Sequence, residues 1–79
     1  MIGRRIYPTN DDSRFAPGDY GKLSTTWHAC TPSGALGNLA NHNVVEHEDS
    51  TITVSPSILV TDGSVSWHGF LEHGVWREA

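Results

Sequence analysis

The sequence predicts a small, mainly β protein: an antiparallel sheet in a meander or compact roll, with an irregular N-terminal arm. Apolar residues alternate with Ser and Thr in the second half of the chain, and glycine turns separate these runs. No long amphipathic helical pattern occurs. A chain of 79 residues forms one domain, and such a small domain has a thin margin of stability.

Residues 1–20 are predicted to form the arm, because prolines and turn-forming runs such as Asn10–Ser13 break any periodic pattern. The arm carries more apolar anchors than a free tail would: Ile6, Tyr7, Phe15 and Tyr20. We therefore expect it to lie against the body or against another subunit. Residues 21–79 form the predicted antiparallel β domain.

The first predicted strand is Leu23–Cys30, which contains β-favouring Thr and Trp residues and ends at the turn-forming run Thr31–Gly34. Leu36 and Leu39, three positions apart, indicate a structured loop with at most one helical turn. Val44–Val45 is predicted to be a short piece of strand.

Thr51–Val60 gives the strongest strand signal, because its apolar residues share one parity: Ile52, Val54, Ile58 and Val60. Pro56 removes one hydrogen-bond donor from this strand. We therefore expect the strand to lie at a sheet edge, or to carry a bulge or bend around Pro56. An open edge is a liability unless it is covered, and the arm or a symmetric partner could cover it.

Two turns complete the predicted meander. Asp62–Gly63 fits a two-residue hairpin turn, and His73–Gly74 fits a second one. Between them, two sets of alternate residues should lie on opposite faces: Val65, Trp67, Gly69 and Leu71 on one, and Ser66, His68 and Phe70 on the other.

Charge and hydropathy exclude several function classes. The net charge is −4 and the only basic cluster is Arg4–Arg5, so nucleic-acid binding is not expected. No apolar run approaches the roughly 18 residues of a membrane span, so we expect no membrane association. Cys30 is the only cysteine, which excludes an intramolecular disulfide and fits a reducing compartment.

The chain has five histidines, an unusually high number for its length, and one cysteine. Zinc takes mixed nitrogen and sulfur ligands, so these residues raise the possibility of a zinc site. His28 and Cys30 lie two apart and so share one side of a strand. The candidate metal ligands are His28, Cys30, His42, His47 and His68. Their spacing matches no diagnostic zinc motif, and satisfied structural histidines are the competing interpretation.

Catalysis is not expected. Cys30 near His28, or Ser55 and Ser57 with a histidine and a carboxylate, would be the nucleophile candidates. The chain has no Gly-x-Ser-x-Gly elbow and no glycine-rich phosphate loop. We therefore predict that the protein is not an enzyme and has no catalytic or cofactor-binding residues.

Candidate interface residues come from the arm, the proline strand and the last strand: Phe15, Tyr20, Pro56 and Trp76. Trp27 and Trp67 are predicted to be core residues, whereas the terminal Trp76 fits a core or an interface position equally well.

The string Ser55–Leu59 (Ser-Pro-Ser-Ile-Leu), followed by Trp67–Leu71 and Gly74–Trp76, resembles a group of small phage and prophage proteins. Some longer members have cysteine pairs and a Cys before the strand histidine, where this chain has Trp67. The resemblance implies phage origin, and hence host cytoplasm or virion as the location.

These observations favour a non-enzymatic protein that acts through protein–protein contacts, by self-association or by binding a host or virion protein. Two alternatives remain open at this stage. One is a zinc-stabilised binding module that uses the His and Cys ligands. The other is a binder of a small host signalling ligand.

Overall fold

The computed structural model describes residues 1–9 and 14–79, and none of these residues lies in a helix. They form eight strands in chain order: β1 (Arg4–Arg5), β2 (Asp19–Leu23), β3 (Thr26–Cys30), β4 (Leu36–Asn38), β5 (Asn43–Glu46), β6 (Ile52–Asp62), β7 (Val65–Glu72) and β8 (Val75–Glu78). The prediction of a mainly β fold is confirmed. The predicted turn residues Asn10–Ser13 lie outside the described residues.

The strands form two sheets of four, each in sequence order. β1 to β4 make the first sheet, in which β1 runs parallel to β2 and the other pairs are antiparallel. β5 to β8 make the second sheet, which is antiparallel throughout. The sequence predicted one sheet, and the structure divides the strands between two because the loop after β4 ends the first ladder.

The core lies between the two sheets. Its residues come from both halves of the chain: Tyr20, Ala29, Leu39, Ile52, Val54, Ile58, Trp67, Leu71 and Trp76. The rings of Trp67 and Trp76 meet edge to face, with centroids 5.4 Å apart and an interplanar angle of 86°, a favourable arrangement for aromatic pairs. The expected core position of Trp67 is confirmed.

The long strand β6 has an irregularity at Pro56, as the proline predicts. The pairing of β6 with β7 shifts register between Val54 and Ile58, on either side of Pro56. Val54 and Ile58, which share one parity, both stay on the core face across the irregularity, while Leu59 faces outward. The predicted bulge is therefore confirmed, and β6 is an interior strand between β5 and β7.

The N-terminal segment joins the two sheets. Ile2 pairs with Val75 of β8, and the Gly3 N–H donates to the Gly74 carbonyl at 2.8 Å. Two residues later, Arg4 and Arg5 pair with β2 of the first sheet. Residues 1–9 of the segment that we expected to be an irregular arm thus pack on the body, and strand structure begins inside that segment.

Two local predictions in the first half were wrong. Leu23–Cys30 is not one strand, because the chain reverses at Ser24, whose φ is 58°, and forms the hairpin of β2 and β3. The stretch after Gly34 is a strand rather than a loop or a helical turn, because β4 pairs with β3. In an extended chain, Leu36 and Leu39 fall on opposite faces, and indeed Leu36 is exposed while Leu39 is buried.

In the second half the turns agree more closely with expectation. His73–Gly74 forms the predicted turn, with positive φ at both residues, between paired Glu72 and Val75. The other turn lies one residue later than predicted: Asp62 pairs with Val65, so Gly63–Ser64 occupies the central positions. Positive φ falls only on Gly63 of that pair, the pattern of a type II′ hairpin turn.

Candidate functional site

The two sheets leave four strands at their edges, and these edges differ in how well they are protected. The edge at β8 is covered at Val75 and Trp76, because the N-terminal segment pairs there. β1 has two residues and β4 has three, too few to template much pairing. The four-residue β5 is hydrogen-bonded to β6 on one side and to no strand on the other. Among the described residues, it is the longest uncovered edge.

Hydrogen-bond alternation fixes which β5 groups point outward. The His47 N–H donates to the Thr51 carbonyl at 2.8 Å, and Glu46 pairs with Ile52 next to it. In an antiparallel ladder, hydrogen-bonded and non-hydrogen-bonded pairs alternate. Asn43 and Val45 therefore exchange hydrogen bonds with β6, whereas the backbone N–H and C=O groups of Val44 and Glu46 point away from the sheet.

β5 lacks two of the residue types that commonly guard an edge strand. Its sequence, Asn-Val-Val-Glu, contains no proline and no lysine, the residues that commonly block edge pairing. Val45 is 55% exposed on the outer face. The single charge, on Glu46, is paired with the guanidinium of Arg5 at 2.8 Å. The one charge on β5 therefore has a partner within the molecule.

Arg5 is held in place by several contacts. Its Nη1 atom also donates to the Ser50 carbonyl at 2.9 Å. Its guanidinium carbon lies 4.6 Å from the ring centroid of Tyr7 and 4.8 Å from that of Trp27, within the range of cation–π attraction. Trp27 is half-buried beneath Arg5, and it packs against the core cluster that the sequence assigned it to. The Arg5–Glu46 pair is therefore a fixed part of the β5 surroundings.

The outer face of the second sheet, opposite the core, carries several exposed apolar side chains. Ile2 and Val75 lie next to each other as a non-hydrogen-bonded pair, where side chains approach most closely. Leu59 is 66% exposed and is paired with His68. The ring of Phe70 is covered by the guanidinium of Arg77, 4.5 Å from its centroid.

The predicted metal ligands are dispersed. His28 contacts the Thr26 carbonyl through Nδ1 at 3.0 Å and packs near the ring of Phe15. Cys30 is buried and free. Burial, with smaller contributions from the charges of Asp19 and Asp62, raises the pKa of the Cys30 thiol, so the metal-binding thiolate is disfavoured.

His42 and His68 both approach Ser57. His42 donates from Nε2 to the Ser57 carbonyl at 3.2 Å, and its buried Nδ1 has no hydrogen-bond partner among the described residues. His68 Nε2 lies 3.0 Å from the Ser57 hydroxyl, in an exposed position. In the part of the chain described, no carboxylate hydrogen-bonds to His68 to orient it, as an activated serine requires.

His47 lies elsewhere, stacked on His73 with ring centroids 3.8 Å apart and planes within 9°. Its Nε2 atom is 2.7 Å from the Thr53 hydroxyl, which also accepts the His73 N–H. Over residues 1–9 and 14–79, no three His, Cys, Asp or Glu side chains come together in a group that could hold a metal ion. Zinc binding by the predicted set remains a prediction without a formed site.

The predicted interface residues divide into two pairs. Tyr20 and Trp76 are 1% and 3% exposed and belong to the core, because both project between the sheets. This corrects our expectation that they would contact a partner. Phe15 is half-buried beside His28, and Pro56 is exposed. Sequence reasoning predicted a short piece of strand at Val44–Val45 but did not identify it as an open edge.

A depression of about 240 Å³ lies on the first sheet's side, and its lining residues are Ile6, Tyr7, Pro8, Thr9 and Arg14. Sites for drug-sized ligands typically measure about 300–1,000 Å³. This depression is smaller than such a site, and binding of a small signalling ligand remains a prediction.

No protein-family model, curated protein or solved structure matches this chain significantly. The described residues include no helix that is long and apolar enough to cross a membrane. The site is therefore characterised by its geometry alone: an open, unguarded strand edge beside an outer face with exposed apolar side chains.

Proposed function

We propose that this protein is a non-enzymatic binding protein of phage or prophage origin. It acts through protein–protein contacts, either with itself or with a host or virion protein, in the host cytoplasm or in the particle. The observation that carries the proposal is the uncovered edge of β5. Such an edge presents unpaired N–H and C=O groups that an added strand can satisfy.

The distribution of polar groups supports a binding function. The charged and polar side chains near the edge are engaged within the molecule: Arg5 with Glu46, and His47 with Thr53. On the outer face of β5, the side chain of Val45 is 55% exposed. An interface needs apolar anchors that lose water on contact, and Val45 supplies one at this edge.

The proposal is tested with the complete, untagged chain. Light scattering across the micromolar range measures self-association, and a pull-down from infected cells tests other partners. The matched control is V45K, which should keep the fold and lose the contacts. A strictly monomeric protein, combined with no partner that distinguishes the wild type from this variant, would contradict the proposal.

A further inference from the structure

We infer that the β5 edge binds a second copy of this chain. The two β5 strands pair antiparallel about a two-fold axis that passes through Val45. This inference rests on the proposed function, because it names the chain itself as the protein partner. Pairing in this way joins the two four-stranded sheets of β5 to β8 into one continuous sheet.

The outward-pointing groups restrict the possible registers. An added antiparallel strand must place its own outward groups opposite those of Val44 and Glu46. In a symmetric dimer, the same edge supplies both strands. The two-fold axis can then pass through Val44, Val45 or Glu46, and each choice brings different side chains together.

The side chains that face each other in each register decide among these three positions of the axis. An axis at Glu46 sets two carboxylates directly opposite each other, which is destabilising. An axis at Val44 sets exposed Val45 opposite the polar Asn43 and moves pairing beyond the strand, to His42. An axis at Val45 avoids both problems, because all its hydrogen-bonded pairs fall within Asn43–Glu46.

In the register centred on Val45, Val44 pairs with Glu46 of the second copy. By symmetry, Glu46 pairs with Val44 of the second copy. Each pair exchanges two backbone hydrogen bonds, so four form in all. Val45 faces Val45 of the second copy at a non-hydrogen-bonded position, where the Cα atoms lie about 4.5 Å apart. The valine that the monomer leaves 55% exposed becomes the centre of the contact.

Charge does not oppose this pairing. In this register the carboxylate of Glu46 faces Val44 of the second copy rather than another carboxylate, and it is paired with Arg5 of its own chain at 2.8 Å. The contact is small, since stable interfaces usually bury about 1,200–2,000 Å² and β5 has four residues. We therefore expect a dimer that dissociates on dilution through the micromolar range.

The first test is sedimentation velocity of the wild type and of V45K over a series of concentrations. Two lysines facing each other across the axis should keep V45K monomeric where the wild type is dimeric. The matched control is L59K, which places the same charge on an exposed apolar residue of the same sheet face, away from β5. L59K should dimerise like the wild type, and all three proteins should melt at similar temperatures.

The second test uses the symmetry of the contact. V45D alone should also be monomeric, but an equimolar mixture of V45K and V45D should form a heterodimer, because residue 45 faces itself. A dimeric V45K, or a mixture that stays monomeric, would overturn the inference while leaving self-association through another surface intact. A wild type that is monomeric throughout would overturn the inference and the self-association form of the proposed function together.

Discussion

The indole Nε1 of Trp76 donates a hydrogen bond of 3.0 Å to the backbone carbonyl of Gly18, 58 positions earlier in the chain. The same carbonyl accepts the N–H of Arg4. The last strand, the N-terminal segment and the start of β2 therefore meet at one acceptor. This junction fixes the N-terminal segment over the β8 edge and leaves β5 as the open edge.

Replacing Trp76 with Phe should remove this donor and destabilise the fold. A neutral hydrogen bond contributes about 1 kcal/mol net, so W76F should cost about that much more than W67F. Trp67 is the matched control because it packs against Trp76 in the same core. Urea unfolding followed by fluorescence measures both free energies. Equal losses for the two variants would contradict the role of the hydrogen bond.

Gly3 should tolerate no side chain. A Cβ atom there would lie 2.7 Å from the Gly18 carbonyl oxygen and 2.8 Å from Trp76 Nε1. Forcing an added methyl group into a packed site costs about 1–3 kcal/mol, so thermal unfolding of G3A should reveal a loss of that size. The neighbouring I2T changes a residue that is 83% exposed and should stay within about 0.5 kcal/mol of the wild type.

Cys30 should be unreactive in the folded protein. Its thiol is buried and its pKa is raised chiefly by that burial, so both access and thiolate content are low. A disulfide reagent at neutral pH should label it more than about tenfold faster in urea than in buffer. Equal rates would place the thiol at the surface.

Asp49 should make a pH-dependent contribution to the β5–β6 hairpin. Hydrogen bonds from the Thr51 hydroxyl and N–H lower the pKa of the Asp49 carboxyl below its usual 3.8. A lowered folded-state pKa means that this stabilisation is fully present above the unfolded pKa, and is lost as pH falls through the folded pKa. D49A should therefore melt below the wild type at neutral pH and converge with it in acid. A difference that persists unchanged in acid would contradict the assignment.

Zinc should not be a structural component. His28 bonds to Thr26 and His47 to Thr53, whereas His42 and His68 bond to Ser57, and Cys30 is buried. Chelator treatment of untagged protein should leave the melting temperature unchanged, because structural zinc contributes directly to folding free energy. Stoichiometric zinc by elemental analysis, lost together with stability, would restore the metal hypothesis.

The C-terminal half was predictable from sequence because its signals are local. The alternation in β6 and β7, the Pro56 irregularity and the His73–Gly74 turn depend on neighbours within a few residues. The first half was less predictable. The hairpin reversal uses a left-handed Ser24, which is uncommon for a non-glycine residue, and β4 forms because β3 lies beside it.

The candidate site was the least predictable part. Whether a strand lies inside a sheet or at its edge depends on long-range strand order, which local alternation does not encode. Sequence reasoning placed Pro56 at a possible edge, but β6 is interior and bulged, while β5 forms the edge. Tyr20 and Trp76 were candidate contacts until the packing of the two sheets placed them in the core.

Residue-resolved amide hydrogen exchange of the wild-type protein tests the central claim most directly. The amides of Asn43 and Val45, which bond to β6, should be protected at every protein concentration. The amides of Val44 and Glu46 should exchange quickly in dilute protein and become protected as concentration rises. Fast exchange of Val44 and Glu46 at all concentrations would contradict pairing through the β5 edge.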